Sequence, residues 1–75
     1  MDTQERIIEI IDTDYNAFDI DVNNDTTFEE LGLDSLDAVE LLMDIESAFD
    51  IDISDDEFDK LLCVNDVIEC VEKHS

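Results

Sequence analysis

Glu30-Leu31-Gly32-Leu33-Asp34-Ser35-Leu36-Asp37-Ala38-Val39-Glu40-Leu41 is the stretch whose reading decides the fold. Gly32, the single glycine of the chain, supplies the permissive φ with which a chain reverses into a new element. Asp34, with Asp37 three residues on, reads as an N-cap facing position N3 of a helix. Ser35 then falls at N1 and is spared from capping. Its hydroxyl points to solvent where free backbone N–H groups and the positive end of the helix dipole converge, a setting that suits a covalently attached phosphate. From the Asp-Ser dipeptide alone, an ordinary helix-start serine reads the same way.

Outward from this start, a helix is predicted over 35–49. Projected at 100° per residue, Asp37, Glu40, Asp44 and Ser47 form one stripe, while Ala38, Val39, Leu41, Leu42, Ile45, Ala48 and Phe49 fill most of the rest. Leu36 and Met43 sit where the apolar arc meets the acidic stripe. Upstream, Ile7, Ile8, Ile10, Ile11 and Tyr15 recur at helical steps, and Asp2 with Glu5 offers a capping box, so a helix is predicted over 3–14. Between them, 15–34 loses the period to Asn, Asp and Thr. Phe18, Ile20, Val22, Phe28, Leu31 and Leu33 punctuate this stretch, which predicts a long loop pinned onto the core, with one turn capped by Thr27 and Glu30. Downstream, Ser54-Asp55-Asp56-Glu57 opens a short helix with Phe58, Leu61 and Leu62 inward. Val64, Val67, Ile68 and Val71 then mark a last helix, with Lys73 near its C-terminal end. With no proline and one glycine, hairpin signals are nearly absent. The fold class expected is all-α, a single domain over 1–75: a small bundle of three main helices plus one short helix, with the long loop between the first two.

Twenty-four acidic side chains against 3 basic ones give a formal net charge of −21 over 75 residues. Three scattered cations, Arg6, Lys60 and Lys73, cannot form a basic patch, which argues against nucleic acid and against anionic lipid surfaces as partners. A disordered acidic tail is excluded by the 44% apolar content. The chain begins MDTQER, without an apolar leader, and has no run approaching a membrane span, so a complete, cytoplasmic protein is expected, with no membrane insertion. Cys63 and Cys70 are seven apart, about 10 Å of helical rise, beyond disulfide reach; both read as reduced structural thiols. His74 reads as a surface residue at a fraying end, neither cysteine has metal-ligand or catalytic neighbours in sequence, and no metal site or catalytic residue is assigned. An enzyme of this size, with one histidine and no room for a cleft, is not expected.

The longer run Glu30-Leu31-Gly32-Leu33-Asp34-Ser35-Leu36-Asp37, followed by Val39-Glu40-Leu41 and by Glu46 before Phe49-Asp50-Ile51, resembles the acyl carrier proteins over essentially the whole chain. The resemblance implies that Ser35 receives 4′-phosphopantetheine from coenzyme A through a separate, Mg²⁺-dependent phosphopantetheinyl transferase. Acyl chains then ride on the thiol of that arm. It implies that Asp34 helps hold the transferase's Mg²⁺, and that Asp37, Glu40, Asp44 and Glu46, with Leu36 and Met43, meet basic patches on acyl-transfer and fatty acid synthesis enzymes. Val39, Leu42, Phe49, Leu61 and Val67 are candidates to line an acyl cavity. Departures from the family's pattern are Ser54 where a proline is common, Ser47 where an acid is frequent, and Asp44 where an uncharged residue is common. A monomer serving dissociated (type II) fatty acid synthesis is expected, with a polyketide or other specialised pathway as the alternative; a peptidyl carrier fits the acidity poorly.

Two features bear on rival functions. No Lys or Arg occurs between Arg6 and Lys60, a stretch holding 19 carboxylates, so the acidic face gives up stability to self-repulsion in a way that a merely solvated face would not. A calcium-binding loop is the rival from another class: Asp19, Asp21, Asn23 and Glu30 occupy EF-hand positions 1, 3, 5 and 12. Asn24 stands where the turn glycine belongs, Thr26 where an apolar residue does, and Gly32 interrupts the exit helix. Diffuse binding of divalent ions by the acidic surface is the remaining expectation.

Overall fold

The computed structural model describes residues 2–74. The helices run α1 (Thr3–Asp14), α2 (Ser35–Phe49), α3 (Asp55–Phe58) and α4 (Val64–His74). Among the described residues there is no strand, only an isolated antiparallel bridge between Thr27 and Cys63.

The starts of α1, α2 and α3 follow from a side chain that takes up an orphan backbone donor. Asp2 accepts from the Glu5 amide at 2.9 Å, Ser54 from the Glu57 amide at 3.3 Å, and Asp34 from the Asp37 amide at 2.9 Å. The end of α2 turns on Asp50, a non-glycine residue in the left-handed region with φ of 55°. The Ile51 amide returns to the Glu46 carbonyl at 3.1 Å, and the Glu46 carboxylate accepts from the Ile53 amide at 2.8 Å. One glutamate thus closes the turn from both its main chain and its side chain.

The core gathers Ile7 and Ile11 of α1, Leu41, Leu42 and Ile45 of α2, and Val64, Val67, Ile68, Cys70 and Val71 of α4, with Phe28, Leu31, Ile53 and Leu61 from the connections. α1 packs against α4 and α2. The 3.6-residue period therefore sorted the inward faces of all three long helices. Leu62, Phe18 and Val39 depart from the expected apolar faces, at 69%, 66% and 42% exposure. α3 ends at Phe58, so Leu62 lies in the following connection, where its amide donates to Asp66 at 2.9 Å and its carbonyl accepts from Phe28 at 3.1 Å. Main-chain bonding, not the helical period, sets the direction of its side chain. Phe18 lies over Gly32, whose φ is 78°; a Cβ there would come within 2.8 Å of the Phe18 ring.

The loop over 15–34 is held by bonds that link distant segments. Val64 donates to the Thr26 carbonyl and Asn65 to the Asn24 carbonyl, both at 2.9 Å. Thr27 and Glu30 form the expected reciprocal cap, the Thr27 amide reaching the Glu30 carboxylate at 2.9 Å and the Glu30 amide reaching the Thr27 hydroxyl at 3.1 Å. Across the bundle, Arg6 of α1 lies 4.4 Å above the Phe49 ring and donates to the Ala48 carbonyl at 3.2 Å.

Candidate functional site

The start of α2 carries a complete capping box: the Asp34 carboxylate takes the Asp37 amide and the Asp37 carboxylate takes the Asp34 amide. With the Ala38 amide bonded to the Asp34 carbonyl at 2.9 Å, the first two helical amides, those of Ser35 and Leu36, face outward as the positive end of the dipole. Ser35 is exposed, and its hydroxyl stands outside the cap. A phosphodiester on that oxygen would meet amide hydrogens in place of buried carbon.

Beside Ser35 lies a cleft of about 260 Å³ between α2 and the α3 region, lined by Ala38, Val39, Leu42, Phe58, Leu61 and Leu62 among others. Of the five residues proposed from sequence to line an acyl cavity, Val39, Leu42 and Leu61 meet here. Phe49 does not line this cleft, since its ring lies under the Arg6 guanidinium, and Val67 is fully buried in the core. Phe58 and Leu62 are lining residues the sequence reading did not select. The apolar wall and the exposed serine fit a long, thiol-bearing arm with an apolar cargo.

Along α2 the six residues offered as a docking face separate into distinct roles. Leu36, Glu40 and Met43 are exposed, Leu36 at 67% and Met43 at 58%. Asp37 is half-buried by its part in the cap. Asp44 accepts the hydroxyl hydrogen of Tyr15 from the end of α1. Burial, and then that bond to Asp44, push the Tyr15 phenol well above its ordinary range. Glu46 is turned away from the stripe toward the Ile53 amide, its carboxylate spent on the α2–α3 turn. Glu40 is thus the acid of the face with no structural bond to keep.

At the other side of α3, Glu57 Oε2 lies 2.8 Å from His74 Nε2 and accepts from Cys70 Sγ at 3.1 Å. Those two hydrogen bonds, His74 first, hold the Glu57 carboxyl down at about 2, while burial and then the carboxylate push the Cys70 thiol up to about 11. His74 is exposed, as its place near the end of the chain suggests, but α4 runs through it and its ring is engaged by Glu57; the structure also corrects the reading of Cys70, which has both a carboxylate and an imidazole beside it. The signal available was the four-residue spacing of Cys70 and His74; what could not be read was the return of α3 over them. Cys63 and Cys70 are both free thiols.

The calcium-loop residues are spent on local turns. Asn23 Oδ1 accepts from Asp25, Thr26 Oγ1 from Asn23, and Glu30 Oε1 from Thr27. Among the described residues the donor cluster suited to a metal lies at Glu57, Cys70 and His74, not in this loop. No described helix is long and apolar enough to cross a membrane.

Residues 5–71 match the family model described as "Phosphopantetheine attachment site". The chain is 40% identical to the acyl carrier protein of Desulforapulum autotrophicum, with all of both chains covered. It superposes on the crystal structure of an acyl carrier protein from Thermotoga maritima with a TM-score of 0.80 at 32% identity, over 96% of this chain and 89% of that one.

Proposed function

The chain belongs to the phosphopantetheine-attachment family as an acyl carrier protein, with 4′-phosphopantetheine as its prosthetic group, and from that premise we propose that Ser35 is the attachment residue and that the carrier serves dissociated (type II) fatty acid synthesis in the cytoplasm, as a monomer. The observation that supports this assignment of Ser35 is the division of labour at the head of α2: Asp34 caps the helix, so the adjacent hydroxyl is free to be modified. When bound, the group supplies a thiol that carries the acyl chain as a thioester.

The chain's own residues then do three things. The outward amides of Ser35 and Leu36, with the dipole behind them, offset the charge of the phosphodiester. One oxygen of Asp34 is committed to the cap, and the other is available to the transferase's Mg²⁺ during attachment. Val39, Leu42, Phe58 and Leu61 offer the acyl chain a water-poor wall; at about 260 Å³ the cleft is small, and longer chains need α3 to move away from α2.

Delivery rests on the face made by Leu36, Asp37, Glu40 and Met43, with Asp44 at its edge. A face bearing Asp37, Glu40 and Asp44, on a chain whose net charge is −21, draws basic patches into fast, salt-sensitive and short-lived encounters, as a shuttle visiting many enzymes requires. Tethering raises the effective concentration of the cargo at each partner. The deciding experiment is intact-mass measurement after incubation with coenzyme A, Mg²⁺ and a broad-specificity phosphopantetheinyl transferase. One phosphopantetheine increment on the unaltered chain and none on Ser35→Ala is the expected result; an increment on Ser35→Ala would move the attachment elsewhere.

A further inference from the structure

We propose that Glu57, Cys70 and His74 form a Zn²⁺ site that ties α3 to α4. Their donor atoms, a carboxylate oxygen, a thiol sulfur and an imidazole nitrogen, all lie within 4.8 Å of one another. A tetrahedral zinc ion bound at about 2.0–2.3 Å sets its ligands about 3.5 Å apart. The two contacts to Glu57, at 2.8 and 3.1 Å, would therefore open by about half an ångström to admit the ion. The edge between Cys70 and His74, no longer than 4.8 Å, would close toward the same spacing.

The donor types select the metal. Sulfur and imidazole favour zinc over the hard cations that the acidic surface attracts diffusely. Cys70 and His74 stand one turn apart on α4, and Glu57 comes from α3, so three ligands from two elements leave the fourth position to water. A partner already orients the carboxylate: the Ser54 hydroxyl donates to Glu57 Oε1 at 3.3 Å. A shallow pocket lined by Glu57, Cys70, Asp66, Glu69, Lys60 and Lys73 opens beside the donors and provides an approach. The two lysines oppose a cation there; the three carboxylates of the same pocket and the −21 charge of the chain outweigh them. On binding, the Cys70 thiol proton leaves to solvent and the sulfur–metal bond replaces its bond to Glu57. Because Phe58 of the cleft wall follows Glu57 directly, the bound ion would also fix that wall. The site rests on these three side chains and stands whether or not Ser35 is the attachment residue.

The test is a Co²⁺ titration of the full-length unmodified chain, whose only thiols are Cys63 and Cys70, in excess Mg²⁺ to saturate diffuse carboxylate binding. A thiolate-to-cobalt charge-transfer band that saturates at one equivalent and is displaced by Zn²⁺ is expected. It should be absent in Cys70→Ser, unchanged in Cys63→Ser, and at least about tenfold weaker in apparent affinity in His74→Ala. His74 lies at the exposed end of α4, so His74→Ala decides the matter even where Cys70→Ser folds poorly, with far-ultraviolet circular dichroism reporting the fold. No band, a band that follows Cys63, or an affinity unmoved in a folded His74→Ala would overturn the site.

Discussion

Replacing Arg6 with Met should destabilise the bundle by about 1 kcal/mol, although Arg6 is exposed and its loss makes no cavity. α2 ends without a basic residue in its last turn, and its C-terminal dipole is complemented instead from α1, by a guanidinium that bonds the Ala48 carbonyl at 3.2 Å and covers the Phe49 ring at 4.4 Å. An exposed cation–π contact contributes about 0.5–1 kcal/mol, a cation at a helix C-terminus about 0.3–1 kcal/mol, and the hydrogen bond about 1 kcal/mol. Holding a long side chain in one geometry costs about 1–2 kcal/mol, so roughly half of the gross gain survives. For a domain of this size 1 kcal/mol corresponds to a fall in Tm of about 4–8 °C. Thermal unfolding followed by circular dichroism at low salt provides the measurement, with Arg6→Lys as the companion. Lysine keeps the charge at the helix end but lacks the planar group, so it should recover part of the loss, and that part should shrink in about 1 M salt as the charge is screened. A Met variant as stable as the parent would refute the reasoning. So would a Lys variant equal to arginine, which would leave nothing to the stacked geometry.

Three further outcomes follow from other contacts. Glu40→Lys should leave the fold intact and raise the melting temperature slightly, since helix propensity is preserved and repulsion from Asp37 and Asp44 is relieved, while slowing acyl transfer by a partner enzyme at low salt; identical transfer kinetics would remove Glu40 from the docking face. Gly32→Ala places a Cβ at φ 78° and within 2.8 Å of the Phe18 ring, at a cost of about 1–2 kcal/mol from the backbone. Adding Phe18→Ala should relieve the steric share and leave the backbone share, which a double-mutant cycle reads out. Tyr15 holds its proton more tightly folded than unfolded, so its contribution is complete below about pH 10 and is lost as pH rises beyond it. The stability of the parent should therefore fall more steeply above pH 10 than that of Tyr15→Phe in urea titrations; parallel curves would count against the Tyr15–Asp44 bond.

Short-range signals proved sufficient for the helices and for the exposure of Ser35 beside its cap. The boundaries of α1 and α2 follow from carboxylates three residues ahead of the amides they cap, and the inward faces from a period that the sequence displays. Asp34 and Asp37 announce their reciprocal bond, and with it the exposure of Ser35. What the sequence concealed is pairing between segments far apart. Nothing local marks Asp44 as the acceptor for Tyr15, or Glu46 as the cap for Ile53, because both carboxylates sit at regular helical positions and their partners are chosen by how the chain returns. The same holds for His74, which reads as a terminal residue until α3 brings Glu57 over it. Val39 and Leu42 reach the cleft from the regular face of α2, whereas Phe58 and Leu62 enter it by the path of the α3 connection.

The main-chain bonds from Phe28 to Leu62, Val64 to Thr26 and Asn65 to Asn24 close the intervening polypeptide into a ring. Closing it costs chain entropy that grows only slowly with the number of residues enclosed. Within that ring, α2 and α3 can draw apart while the ends stay joined, so breathing of the cleft need not become unfolding. The amides of Phe28, Val64 and Asn65 would then exchange together with solvent, and more slowly than those of the α3 segment. A chain closed in this way can open at the cleft many times and each time return to the same register.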